Sequence, residues 1–199
     1  GNLPNVAVRD LAIQTREHDL LIATHGRGVY IVDDITPLRG LTAAAMNSDA
    51  AMLGGRPAEM LIPASEQRFD GDDQFVGETA DETAGINYWL KKRHVFGDMK
   101  LEVFDDKGQL ITTMPGGKRR GFNRVGWSMR ARAPKVPPAT NLVPQQYSFV
   151  GPRVPAGTYT VKLTRDQQVL DSRLVLVPDP RAIYTAEDRA AQHKAAEDL

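Results

Sequence analysis

Val154-Pro155-Ala156-Gly157-Thr158-Tyr159-Thr160-Val161-Lys162-Leu163-Thr164 is the stretch that decides the fold. Tyr159, Val161 and Leu163 alternate with Thr158, Thr160, Lys162 and Thr164, so each set of side chains shares one face of an extended strand. Pro155 and Gly157 mark the turn that feeds this strand. After a polar turn at Arg165-Asp166-Gln167-Gln168, Val169-Leu170 and Leu174-Val175-Leu176-Val177 supply the return strand. An isolated hairpin is marginal in water, so its apolar face requires a second β-layer. Phe122-Asn123-Arg124-Val125-Gly126-Trp127-Ser128-Met129-Arg130 offers one, with Val125, Trp127 and Met129 alternating in the same way. The expected core is therefore Val125, Trp127, Met129, Tyr159, Val161 and Leu163, between the layers of a β-sandwich. By the same parity Arg124, Ser128 and Arg130 face solvent.

The chain upstream is also mostly β. Val6 to Ile13, Leu20 to Thr24 and Val29 to Val32 read as three short strands joined by polar or glycine-containing turns, a meander. Residues 36–59 read as a linker with one or two helical turns after Thr42, ended by Gly54-Gly55-Arg56-Pro57. Met60-Leu61-Ile62 and Gly85 to Leu90 are further strands, the second placing Ile86, Tyr88 and Leu90 on one face and Trp89 on the other. Asp105-Asp106-Lys107-Gly108 joins two more apolar runs as a tight hairpin. Val136 to Pro155 is a proline-rich excursion that cannot be a central strand. Pro178-Asp179-Pro180 stops the last strand, and Thr185-Ala186-Glu187-Asp188 opens a helix of alanine and charge with little apolar stripe for docking.

Composition bounds the function. The 199 residues are 41% hydrophobic and 25% charged, with 25 basic and 25 acidic side chains, so no global field steers the protein toward nucleic acid or membrane. Cysteine is absent, which excludes disulfides and thiolate metal sites. No apolar run is long enough for a membrane-crossing helix. The N-terminus has neither a basic nor an apolar leader region, so the chain is expected to carry no signal peptide of its own, and both ends read as those of a fragment.

Val8 to Ile13, Leu21-Ile22-Ala23-Thr24-His25-Gly26-Arg27-Gly28-Val29-Tyr30 and Asp33 to Leu38 together resemble the closing blade of the bacterial sortilin-like propeller proteins. These are large proteins often described as glycosyl hydrolases with BNR repeats. Gly121 to Arg130 and Pro155 to Val161 resemble the Ig-like domain that follows that propeller, and a similar hairpin occurs in the Ig-like domain of the flagellar hook-capping protein. The family's Asp-box repeat is absent, so no sialidase-type site is carried over. The resemblance implies a mainly β chain: an Ig-like or fibronectin-type antiparallel β-sandwich preceded by a three-stranded meander from a β-propeller blade, with a short C-terminal helix. The implied division is 1–35 as the blade remnant, 36–59 as linker, 60–178 as sandwich and 179–199 as helical segment. An extracellular or periplasmic location follows from the family alone.

No catalytic, cofactor-binding or metal-binding residue is expected. His25 with Arg27, Asp33 and Asp34 fits turn chemistry better than a polar site, since no nucleophile lies nearby. Asp70-Gly71-Asp72-Asp73 suggests calcium, but the EF-hand spacing is unmet and the acidic stretch 66–82 reads as a solvated loop. Lys118, Arg119, Arg120, Arg124, Arg130, Arg132 and Lys135, with Phe122 and Trp127 among them, resemble a nucleic-acid surface, yet the parity of Trp127 puts it in the core. Trp89 is a candidate for stacking on a glycan or for cover by a neighbouring domain. The preferred function is a non-catalytic accessory module packing against the propeller or another protein surface. The alternative is a carbohydrate-binding module or part of a secreted glycoside hydrolase, which would require two convergent carboxylates about 5–10 Å apart. Leu11, Ile13, Leu21, Ile22, Val29 and Ile31 must find cover, on the sandwich or on another copy of the chain, and the family resemblance makes the sandwich the expected partner.

Overall fold

The computed structural model describes residues 3–61, 82–133, 135 and 150–198. Its centre is the expected hairpin, β10 (Gly157–Arg165) and β11 (Gln168–Pro178), the second running unbroken where the sequence suggested two pieces. Tyr159 faces Leu174 and Leu163 faces Leu170 across the pair, with Asp166 at φ 51 in the turn. On its other side β10 pairs with β7 (Met99–Phe104), placing Val161 opposite Val103 and Leu163 opposite Leu101. Strand β8 (Leu110–Pro115) follows β7 through the Asp105–Gly108 turn, where the Asp105 carboxylate accepts from the Lys107 and Gln109 amides.

A three-stranded sheet covers this one. Strands β6 (Ala84–Leu90) and β9 (Gly121–Trp127) pair antiparallel, and β4 (Ala50–Leu53) joins the far edge of β6. The order is β4-β6-β9 against β5-β11-β10-β7-β8, with β5 (Ala58–Met60) lying parallel to β11. Alternation puts Ile86, Tyr88, Leu90 and Trp127 inward from one sheet and Leu101, Val103, Tyr159, Val161 and Leu163 inward from the other. The chain is thus a mainly β protein with a β-sandwich at its core.

Four readings need correction. The stretch 36–59 is more than a linker, because β4 and β5 take edge positions in the two sheets. Met60 ends β5 rather than beginning a strand, so the register shifts toward Ala58. Strand β9 stops at Trp127, and Met129, still buried, reaches the core from a turn at φ 56. That turn breaks the alternation, so Arg130 lies partly buried against the Gly151 carbonyl at 2.9 Å instead of facing solvent. Val125 is half-buried, and it is Asn123 that β9 buries nearer its start. The acidic stretch 66–81 and residues 136–149 of the proline-rich excursion lie outside the described residues.

Before β4 come β1 (Val8–Gln14), β2 (Asp19–Thr24) and β3 (Val29–Val32), which form the expected antiparallel meander as a separate sheet. A 3-10 turn over Thr36–Gly40 and the short helix α1 (Ala43–Asn47), capped by Thr42, connect it to β4. Helix α2 (Ala186–Glu197) begins with a full capping box between Thr185 and Asp188. It docks through polar contact, as its composition required: His193 Nδ1 donates to the Arg153 carbonyl at 2.9 Å.

Trp127 fills the space between the sheets, its ring edge-on to Tyr159 at 5.4 Å and its indole N–H donated to the Arg130 carbonyl at 3.0 Å. Replacing Trp127 by Ala is expected to destabilise the protein by about 3–5 kcal/mol, the usual cost of emptying a large aromatic site. Replacing the exposed Arg119 by Ala should stay within about 0.5 kcal/mol. Equal chemical-denaturation midpoints for the two variants would contradict this core.

Burial also pushes the Tyr88 phenol from its ordinary 10.0 up to about 12, against a smaller opposing effect of its 2.8 Å hydrogen bond to Gly117. Tyr159 rises to about 12 as well, through burial first and the charges of Asp105 and Asp106 second. Both phenols are held neutral by folding, so their stabilisation is complete below the unfolded value of 10.0 and is lost as pH rises through about 12. Denaturation midpoints measured across that window should fall, and fall less steeply when Tyr88 and Tyr159 are both replaced by Phe. An identical slope in that double variant would remove the tyrosines as the cause.

Candidate functional site

The meander differs from the sandwich in having apolar side chains on both of its faces. Cross-strand partners share a face. Leu11, Ile22 and Tyr30 line one face with Ile13, Leu20 and Val32, while Ala12, Leu21 and Ile31 line the other with Ala23 and Val29. A sheet with one solvated side would alternate apolar with polar residues, and a sheet buried on both sides would not. The pattern is that of a doubly covered sheet, yet the described residues leave it uncovered: Leu11 is 60% exposed, Ile13 49%, Val29 62% and Ile31 60%. The described residues of the sandwich do not shelter these side chains, contrary to the expected packing. Both outer strands, β1 and β3, also leave a backbone edge unpaired within the sheet.

Polar contacts hold the meander to the sandwich. Arg124, on the outer face of β9, sends Nε to the Asn87 side chain at 3.0 Å and Nη2 to the Asp34 carbonyl at 2.9 Å. Its Nη1 reaches the Asp33 carbonyl at 3.4 Å, and the Asp34 carboxylate stands 3.7 Å away. Asp34 adopts φ 44, so its amide meets the Asp19 carboxylate while its own carboxylate accepts from the Thr36 amide. Arg56 pairs with Glu17, and His18 hydrogen-bonds with Thr36 at 2.6 Å. Ion pairs and hydrogen bonds at such partly exposed positions fix an orientation more than they add stability.

The structure disperses the polar candidates from the sequence. His25 lies 3.4 Å from Arg9, while Asp33 and Asp34 serve the junction with Arg124, so they do not converge on a common point. Among the described residues no group of three His, Asp or Glu could hold a metal ion; Asp70 to Asp73 lie outside them. No helix among the described residues is long and apolar enough to cross a membrane. A depression of about 430 Å³ between β8 and the turn after β9 is lined by Arg130 and Arg132 and, among the described residues, by no carboxylate, so these residues offer no acid–base pair. Trp89 lies opposite Ala51 and Phe122 on the outer face of its sheet and is half-buried, its indole N–H inaccessible to solvent. Helix α1 lies against β4 and β6.

The basic run is likewise divided. Arg124 is used at the junction and Arg130 in the Gly151 contact, where burial and the neighbouring Arg153 lower its pKa. Sequence reading missed that Lys91, Lys92 and Arg93 join Arg120 around one depression. The signal was the pairing of Leu90 with Gly121, which brings the ends of two strands 31 positions apart to one edge. Comparison with protein-family models, with curated proteins and with solved structures finds no match for this chain.

Proposed function

We propose that the chain is a non-catalytic accessory module, an Ig-like sandwich that braces a sortilin-like propeller, to which the meander contributes strands of the closing blade. The observation that carries this reading is the open meander, apolar on both faces and exposed on both. Blades of a propeller are covered on each face by their neighbours, which matches that pattern. The resemblance of Leu21 to Tyr30 to the family's closing blade points the same way.

Strand order supports the Ig-like part. On this reading β4, β6 and β9 correspond in chain order to strands A, B and E, and β11, β10, β7 and β8 to G, F, C and C′, which agrees with the observed sheet orders. The Tyr159 hydroxyl donates to the Pro155 carbonyl four residues upstream at 2.7 Å, as in the tyrosine corner of such sandwiches. On this reading the protein works outside the cytoplasm, and its role lies in packing and protein contacts.

Replacing Leu11 and Ile31, one on each face, by Asp tests the reading. In the chain alone these exposed positions should change sandwich stability by no more than about 0.5 kcal/mol. In the same chain carried behind a sortilin-like propeller, each buried charge should cost several-fold more and split one thermal transition into two. A linked protein whose unfolding is unaffected by both substitutions would rule the packing out.

A further inference from the structure

The loop from Lys91 to Asp98 joins β6 to β7 and holds two apolar side chains out in solvent, Val95 at 60% exposed and Phe96 at 86%. It is tied down on both sides. His94 is buried and its amide donates to the Lys118 carbonyl at 3.0 Å, while Lys118 Nζ donates back to the Gly97 carbonyl at 2.9 Å. The Asp166 amide bonds to the Asp98 carbonyl at 3.1 Å. Gly97 adopts φ +89, and a Cβ there would meet the Asp166 carboxylate at 2.0 Å, so this conformation requires glycine. The tip is therefore presented on a fixed support. An exposed aromatic whose backbone is already fixed has only its side-chain freedom to lose on binding, which suits an interface anchor.

Beside the tip lies a depression of about 470 Å³ lined by Lys91, Lys92, Arg93 and Arg120. No carboxylate among the described residues forms an ion pair with any of the four. Lys91 is held in place by its 2.9 Å bond to the Asn47 carbonyl. Four cations without a counter-charge among the described residues, next to an aromatic on a tied-down loop, form a complementary surface for something both acidic and apolar.

We propose that this rim is a docking site for an acidic segment of a partner protein, one that sets carboxylates into the Lys91–Arg93–Arg120 depression and an apolar side chain on Phe96. Two features favour a protein segment over a polyanion. The 25 basic and 25 acidic side chains cancel overall, so the chain lacks the long-range field that draws proteins to nucleic acid or an anionic bilayer. Its cationic lining among the described residues is also confined to four side chains, whereas a duplex or bilayer presents an extended array of phosphates. The site shares no residue with the meander and stands independently of the propeller reading.

The test uses the full chain and a fluorescent peptide of about twelve residues, made of Asp and Glu around a central Leu-Phe pair, with binding read by anisotropy. Saturable binding is expected, weakened about tenfold by Phe96→Ser and by Arg93→Glu with Arg120→Glu, and weakened likewise when the peptide's Leu-Phe pair becomes Ser-Ser. Because all three substituted side chains are exposed, thermal melting should not change. Binding that is absent, or that survives both variants, overturns the proposal. Tighter binding to a single-stranded DNA oligomer or to phosphatidylglycerol vesicles overturns it in favour of that ligand.

Discussion

Trp127 is fully buried in the single core that the two sheets share, and much of the architecture follows from keeping it there. Its ring meets Tyr159 edge-on, and its N–H is satisfied by the Arg130 carbonyl, a bond that requires the chain to turn directly after β9. Met129 takes a left-handed conformation to make that turn. The Val154 amide then bonds to the Met129 carbonyl, and Arg130 forms an isolated bridge with Arg153. Val154 is buried in the same core, so the entry to β10 is set by the exit from β9. One buried indole thus links the strongest hairpin to the opposite sheet.

Nothing comparable anchors the meander. Its three strands satisfy one another's backbone groups in register, yet among the described residues its side chains find no layer to pack against, and polar contacts through Arg124, Arg56 and His18 set its place. Small sheets gain most of their stability from a covered apolar face. Apolar surface left open on both sides of a sheet is a mark of association, and the junction with β9 is suited to orienting such a surface toward whatever covers it.

The sandwich was legible because its strands alternate. Tyr159, Val161 and Leu163, and likewise Ile86, Tyr88 and Leu90, stand two residues apart, and burial follows that period. Strand β4 was not, because Ala50-Ala51-Met52-Leu53 contains no alternation and follows three alanines that favour helix; only pairing with β6 makes it β. Parallel pairing of β5 with β11 depends on contacts over 100 positions apart, which no local pattern encodes. His94 carried no signal of its own, since its burial arises from the Lys118 and Asp166 segments folding around it. The cationic rim was half visible: the Lys118–Arg120 run stood out, but its neighbours Lys91 to Arg93 reach it only through strand register.

The central claim is that the β1–β3 sheet is a layer completed from outside this chain. Amide hydrogen exchange on the isolated monomer tests it most directly, residue by residue. The account predicts that amides of β1, β2 and β3 open locally and exchange orders of magnitude faster than those of β6, β7 and β10, which exchange only with global unfolding. Protection of Leu21, Ile22 and Ile31 equal to that of Val161 and Leu163 in a monomer would contradict it, since the meander would then be stable as it stands.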